Sequence, residues 1–384
     1  MTILQFLLWS LLKVAVVTVV MLLAVAYTVL LERKLVGRIQ NRWGPSRVGP
    51  FGLLQPLVDG AKSFLKEDII PTGVYRPLYL MAPIIALGCA LISIAVVPFG
   101  EPNVGPGGLV KPGELNFFQI SDVNIGLLVI LGVTSISVYG IALAGWSSNS
   151  KYSLLGALRS SAQMVSYELA LGLSLVGVVL RAGSLNLRVI VEQQSTQGML
   201  TWNLFGGMQF VAFFIYLMAA YAETNRSPFD LPEGESELVA GYHTEYSGFK
   251  FALFFLGEYL AMFSISGLGT TLFLGGWSAP LQVLGWVPSW IWFFSKLMLS
   301  IFVFIWLRGT LPRLRQDQLM NFAWKFVLPL TLLNLLVAAA WRFLGDGWER
   351  WVVCSAVLLM AYVGMGWSGM RRGHFGPRRY RYAE

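Results

Sequence analysis

Between Glu223 and Glu245 the chain reads ETNRSPFDLPEGESELVAGYHTE, which sets six carboxylates in 23 residues beside a single arginine, Arg226. The acids are Glu223, Asp230, Glu233, Glu235, Glu237 and Glu245. A run of acids is ordinarily a solvated face. Here Pro228, Phe229, Leu231, Pro232, Leu238, Val239 and Tyr242 interleave with the acids, so the segment can tuck into the protein. Carboxyls drawn into a partly desolvated crowd repel one another and lose hydration, and both effects favour taking up a proton. The chemistry this pattern could perform is therefore proton handling.

Four ionisable residues lie inside long apolar stretches: Lys13, Glu168, Glu258 and Lys296. Such groups are costly in a membrane helix and usually face a bundle interior or a wet cavity with a partner. Glu168 sits among Ala162, Val165, Leu169 and Leu171, which favours a functional reading. Lys13 fits snorkelling or a structural pair equally well. The absences are as informative. The histidines are His243 and His374, and the cysteines, Cys89 and Cys354, both stand in apolar runs as small core residues. These offer no haem ligand pair, no iron–sulfur ligand set and no disulfide framework. No glycine-rich nucleotide loop is present. A redox centre would have to come from a partner.

The elements that must position these groups are helices in lipid. Of 384 residues 56% are hydrophobic and 12% charged, and the mean hydropathy is +0.64, more apolar surface than one water-soluble core hides. About 20 apolar residues span the hydrocarbon, and a helix satisfies every backbone polar group there. Nine stretches meet this length: Phe6 to Leu31, Pro77 to Phe99, Ile125 to Trp146, Ala162 to Leu180, Leu204 to Ala222, Phe249 to Leu274, Val287 to Leu307, Phe326 to Leu344 and Trp351 to Trp367. The first has no basic segment before it and no small-residue cleavage site, so it reads as a permanent anchor.

Lys and Arg then set the orientation. Twenty-one of the 28 fall on one side of the alternating loops and five on the other, with Lys13 and Lys296 inside spans. By the positive-inside rule the N-terminus is outside and the long loops and tail are cytoplasmic. The formal charge of +8 thus describes membrane orientation, not a nucleic-acid surface. The fold expected is an all-α, polytopic membrane bundle of about nine helices in one domain, 1–384. Its cytoplasmic loop at 32–76 carries an amphipathic surface helix from Leu53 to Lys66, with Leu53, Leu54, Leu57, Val58, Ala61, Phe64 and Leu65 on one face. An acidic loop occupies 223–248. Residues 345–384 form an extension with the ninth helix and a basic tail.

Four segments carry a resemblance: LERKLVGRIQNRWGPSRVGPFGLLQPLVDGAKSFLKEDIIP, GWSSNSKYSLLGALRSSAQMVSYE, ETNRSPFDLPEGESELVAGYHTEYSGFKFALFFLGEY and LPRLRQDQLMNFAWKFVLPLTLLNLL. In these the chain resembles the H subunit of the proton-translocating NADH:quinone oxidoreductase, respiratory complex I. The resemblance implies a multi-pass subunit of the cell (inner) membrane that forms the quinone chamber with peripheral partners and couples quinone reduction to proton translocation. It implies quinone as substrate, no redox cofactor bound by this chain alone, and iron–sulfur clusters and FMN in partner subunits. The coupling and chamber residues it implies are Glu32, Asp59, Glu168, Glu223, Asp230, Glu233, Glu235, Glu237 and Glu245. Arg33, Arg42, Arg47 and Arg226 would pair with them or fix partner contacts. The family's core has eight spans, so the ninth is a departure. A homologous subunit of a hydrogenase or ferredoxin-driven complex is the near alternative. A stand-alone proton-coupled transporter is the far one, although its acids would be expected nearer the midplane.

Overall fold

Among residues 3–101, 118–195, 198–205, 209–232, 239–344 and 348–372, which the computed structural model describes, the regular structure is helical and no strand occurs. The helices are α1 (Ile3–Ile39), α2 (Gln55–Leu65), α3 (Arg76–Val96), α4 (Gly126–Ser147), α5 (Lys151–Ala182), α6 (Leu187–Gln194), α7 (Phe210–Glu223), α8 (Gly248–Phe273), α9 (Ser289–Thr310), α10 (Gln316–Phe322), α11 (Leu328–Phe343) and α12 (Glu349–Arg372). A π-helical turn at Ala323–Val327 joins α10 to α11 just before Pro329, whose missing N–H cannot continue a regular ladder.

Among the described residues seven helical units are long and apolar enough to cross a membrane: α1, α3, α4, α5, α8, α9 and the joined α10–α11 rod. Helix α7 is apolar but shorter. Hydropathy starts the fifth span at Leu204, yet its helix begins at Phe210. The physical reason lies in Asn203, whose side chain donates to the Leu272 carbonyl (2.7 Å) while its own N–H donates to Gln194 Oε1 (3.1 Å). These bonds pin the residue in a turn against α8. The expected ninth span lies within α12, which packs on α11.

Helix α8 is the hub. Its second half, from Tyr259 to Phe273, is almost wholly buried against α1, α3, α7 and α9, and Leu260, Phe263, Leu272 and Phe273 anchor the core. Around it, α3 packs on α4, α4 on α5, and α5 on both α7 and α11. Cys89 and Cys354 are buried, as their apolar surroundings required. Many large apolar side chains of α1, among them Leu4, Leu11, Val16 and Val19, are exposed, as lipid-facing residues should be.

The end of α8 is secured by Lys296 of α9. Its ammonium donates to the carbonyls of Leu274 (2.7 Å), Gly276 (2.9 Å) and Ser278 (2.7 Å) and lies 4.0 Å from the Trp202 ring. A cation suits the orphan carbonyls and negative dipole end of a helix. This intramembrane lysine is therefore a structural clasp. Lys296→Met should destabilise the protein by about 3 kcal/mol, since three buried acceptors lose a charged donor, and a thermal midpoint equal to wild type would refute the role. Lys13 has the milder version, donating to the Gln119 carbonyl.

Other boundaries differ from expectation as well; the fourth span, expected from Ala162, begins as helix at Lys151, and the eighth, expected from Phe326, is continuous with helix from Gln316. Hydropathy ends the first span near Leu31, but helix α1 continues to Ile39, because Leu35 and Val36 still pack against the core. The stretch 32–39 is thus helix rather than loop, and Glu32 lies within it. The amphipathic helix occupies Gln55–Leu65, with Pro56 in its first turn, where no backbone N–H is needed. None of its residues is buried, and Leu57, Phe64 and Leu65 remain exposed. Phe64 stacks on Phe249 at 4.3 Å, which ties this helix to the start of α8.

Candidate functional site

Helix α7 stops where Asn225 adopts a left-handed conformation (φ 49) that asparagine tolerates better than most residues. The chain then turns back across α5. Gln163 of α5 holds this turn by donating to the Ala222 and Phe229 carbonyls, both at 2.7 Å. Farther along, Gly241 passes directly over Gly156 of α5, and Tyr246 stacks on Tyr79 of α3 at 4.2 Å. Phe229, Leu231, Tyr242, His243 and Tyr246 are all buried, so the described parts of the acidic loop, up to 232 and from 239, are packed into the bundle.

This packing brings together an ionic cluster built from four distant parts of the chain. Glu32 of α1 is buried, and it accepts from Tyr259 of α8 (2.7 Å), from Arg226 of the loop (3.2 Å) and from Arg308 at the end of α9. The Arg226 guanidinium sits 3.9 Å from the Tyr259 ring centre, and its Nε and Nη2 are buried without hydrogen-bond partners. Burial alone would lower the pKa of Arg226; Tyr259, Glu32 and Glu258 outweigh it and hold the guanidinium protonated more firmly than usual. The cluster opens on a polar cavity of about 530 Å³ lined also by Arg33, Arg42, Asp230 and Arg313.

A second cavity of about 60 Å³ is lined by Glu223, Glu258, Tyr242, Thr134 and Ser137 together with apolar residues such as Ile141, Met164 and Phe254. That volume is room for several waters. Glu258 of α8 accepts from Tyr242 (3.0 Å) and lies 3.7 Å from His243 Nε2. Glu223, at the last position of α7, is buried; its Oε2 has no hydrogen-bond partner, and Thr134 lies within reach of the carboxyl. A buried carboxylate without a cation is costly, so charge and protonation are linked at this position. Glu168 of α5 is near enough to Glu223 for their charges to interact, and it accepts from Ser135 of α4.

Of the residues singled out from sequence, Glu32, Arg33, Arg42 and Asp230 line the polar cavity and Glu223 lines the smaller one, while Arg226 bonds Glu32 and Glu168 interacts with Glu223. Asp59 pairs with Arg33 at 2.7 Å on the exposed side of α2. Glu245 is half-buried, and its carbonyl accepts from Tyr79 (2.7 Å). Arg42 donates to Gln40 (2.7 Å) rather than to an acid, and Arg47 is exposed with no acidic partner among the described residues. Glu233, Glu235 and Glu237 lie outside the described residues. The members sequence reasoning did not place in the site are Glu258, Tyr259, Tyr242, His243, Arg308 and Thr134. The signal for the first two was an acid beside a tyrosine within an apolar stretch; Arg308 showed only as one more basic residue at a helix end.

Known proteins are similar to this chain in sequence. A protein-family model described as NADH dehydrogenase matches residues 12–339. The second H subunit of NADH-quinone oxidoreductase from Koribacter versatilis (strain Ellin345) is 60% identical over 346 residues, covering 87% of this chain and 97% of the relative. The first H subunit of NADH-quinone oxidoreductase from Solibacter usitatus (strain Ellin6076) is 45% identical over 390 residues, covering 87% of this chain and 96% of the relative.

Proposed function

Because the chain belongs to the NADH dehydrogenase family, we propose that the two cavities link quinone reduction to proton movement within an NADH-quinone oxidoreductase. The chain is a multi-pass membrane subunit of that enzyme, respiratory complex I, and its companions are the other complex I subunits. Lipid surrounds its apolar helix faces. The N-terminus lies outside, the acidic loop faces the cytoplasm, and α7 and α12 add two crossings to the seven.

The observation that carries the reading is a run of interacting charges. Glu32, in the wall of the polar cavity, bonds Arg226; the charge of Arg226 reaches Glu258, which lines the smaller cavity together with Glu223, and Glu223 interacts with Glu168. Reducing a quinone to a quinol takes two electrons and two protons. The electrons come from a redox centre of a peripheral partner. As negative charge builds on the bound quinone, groups around Glu32 and Arg226 feel it, because electrostatic coupling is strong where water is scarce. Arg226 faces carboxylates on both sides, so a charge gained or lost at the polar cavity changes the cost of a charge at Glu258. Glu223, with no cation of its own, then takes up or gives up a proton in response. The exposed apolar face of α2 forms the lip through which a lipid-soluble quinone enters.

The test uses the assembled complex. Glu223→Gln and Glu258→Gln, made separately, should each lower coupled quinone reductase activity about tenfold or more, in line with losing a proton-handling group, while the complex still assembles. Normal turnover and normal proton pumping in both would remove the assignment.

A further inference from the structure

Lys250, in the first turn of α8, is a buried cation (8% exposed) that lines neither cavity. A positive charge there opposes the dipole of its own helix, and burial adds a desolvation cost. Contacts from outside the helix must therefore hold it. Its Nζ lies 2.8 Å from Asp68 Oδ2 and 5.2 Å from the centre of the Tyr79 ring. The contact with Asp68 is one of charge, since Nζ makes no hydrogen bond among the described residues. Asp68 stands between α2 and α3, and its side chain is half-exposed. The carboxylate and the ring face supply the attraction that the helix withholds.

The pair sits in the middle of a seam. On the α2 side, Phe64 stacks on Phe249, and the Ile69 N–H donates to Ser247 Oγ (3.0 Å). The backbones also meet there: a Cβ on Gly248 would stand 3.3 Å from the Lys66 carbonyl oxygen and 3.5 Å from that of Glu67. On the far side, Tyr79 donates to the Glu245 carbonyl (2.7 Å) and stacks on Tyr246, whose hydroxyl donates back to the Tyr79 carbonyl (3.1 Å). The Tyr246 N–H in turn donates to the His243 carbonyl (2.9 Å). From α2 a run of contacts thus reaches Tyr242 and His243, the two residues that face Glu258.

We infer that Asp68 and Lys250 are positioning residues whose charge pair ties α2 to the end of the acidic loop, so that the two move as one piece. The inference rests on the reading of α2 as the quinone entrance and of Glu258 as a proton-handling group. Helix α2 has no buried residue, and its ion pair to α1, Asp59 with Arg33, is half-exposed and so weak. An element with so little buried surface opens at low free energy. The tie to Lys250 decides whether it opens alone or takes residues 239–247 with it. A quinone passing α2 then shifts Tyr242 and His243, and through them the cost of a charge on Glu258.

The test uses the assembled complex and reads both ends of the seam. Asp68→Asn removes the charge from a half-exposed side chain while keeping its shape. Amide hydrogen exchange over 55–70 and over 239–247 should then quicken together, about fivefold or more. Turnover per assembled complex should fall about three- to tenfold, with the KM for a short-chain quinone changed less than about twofold. Asp68→Glu, which keeps the charge, should restore most of the turnover. The double variant Asp68→Asn/Lys250→Met should be no slower than the slower of its two single variants, because both remove one interaction. Unchanged exchange over 239–247 in Asp68→Asn overturns the inference, as do losses that add fully in the double variant. A lower melting temperature with unchanged turnover per assembled complex also overturns it, since the pair is then a staple for stability. Normal turnover and pumping in Glu258→Gln would remove the reading of the site but leave the exchange result standing, so the two failures are told apart.

Discussion

Arg226→Met is expected to lower the quinone reductase activity of the assembled complex by roughly a hundredfold to a thousandfold, the scale set by removing one member of a buried ion pair at about 3–5 kcal/mol. Arg226 is 6% exposed and supplies Glu32 with a hydrogen bond at 3.2 Å while its charge reaches Glu258. Without it Glu32 keeps Arg308 as its cation beside the Tyr259 hydroxyl, and Glu258 keeps only Tyr242 and His243. Arg226→Lys should recover a minor part of the activity. A lysine keeps the charge but lacks the planar group that lies over Tyr259 at 3.9 Å while bonding to Glu32. The effect should be the same across the working pH range. A cation whose pKa is raised on folding contributes its stabilisation at every pH below its unfolded value, and for arginine that already lies far above neutrality. Rates would be measured in isolated membranes with assembly followed on native gels. More than half of wild-type activity in fully assembled Arg226→Met would show that the charge link is not needed.

The second large effect is expected at a residue with no side chain. Gly241 has φ 53, and a Cβ there would stand 1.7 Å from the Pro232 carbonyl oxygen; a Cβ on Gly156 would meet the Gly241 Cα at 2.7 Å. Both obstacles are backbone, which cannot rotate aside. Gly241→Ala therefore combines a left-handed backbone penalty of about 1–2 kcal/mol with an overlap that only displacement of the loop relieves. Tyr242 and His243 follow Gly241 directly, so lifting the loop withdraws both partners of Glu258. Activity should fall about tenfold or more, and limited proteolysis should cut the loop faster. Gly172→Ala on α5, where a Cβ meets nothing within 4 Å, is the control and should leave both unchanged. Equal protection of the loop in Gly241→Ala and wild type would disprove the contact's importance.

Several parts of this architecture are legible in the order of residues alone. The apolar stretches dictate helix after helix, because a backbone without water has to bond to itself. The amphipathic pattern around Leu57 and Phe64 locates α2 to within two residues at its start and one at its end. The interleaving of Phe229, Leu231 and Tyr242 with acids correctly indicates a loop that folds inward. Where the sequence reading falls short, a contact distant in sequence decides the outcome. Asn203 shortens α7 by bonding to α8, and the core extends α1 past Leu31.

The candidate site shows the same division more sharply. From the sequence alone come the class of protein and a set of acids, since charge inside a greasy helix is conspicuous and demands an explanation. Only the tertiary structure decided which acids meet. Glu32 lies 194 residues from Arg226 and 276 from Arg308 along the chain, yet the three form one cluster. Glu258 joined the site and Glu245 turned toward α3 because α8 is the hub and each loop residue takes the neighbour its backbone path offers. Periodicity reports how each segment meets its solvent. Partnership between charges depends on how whole helices pack, and no local pattern encodes that.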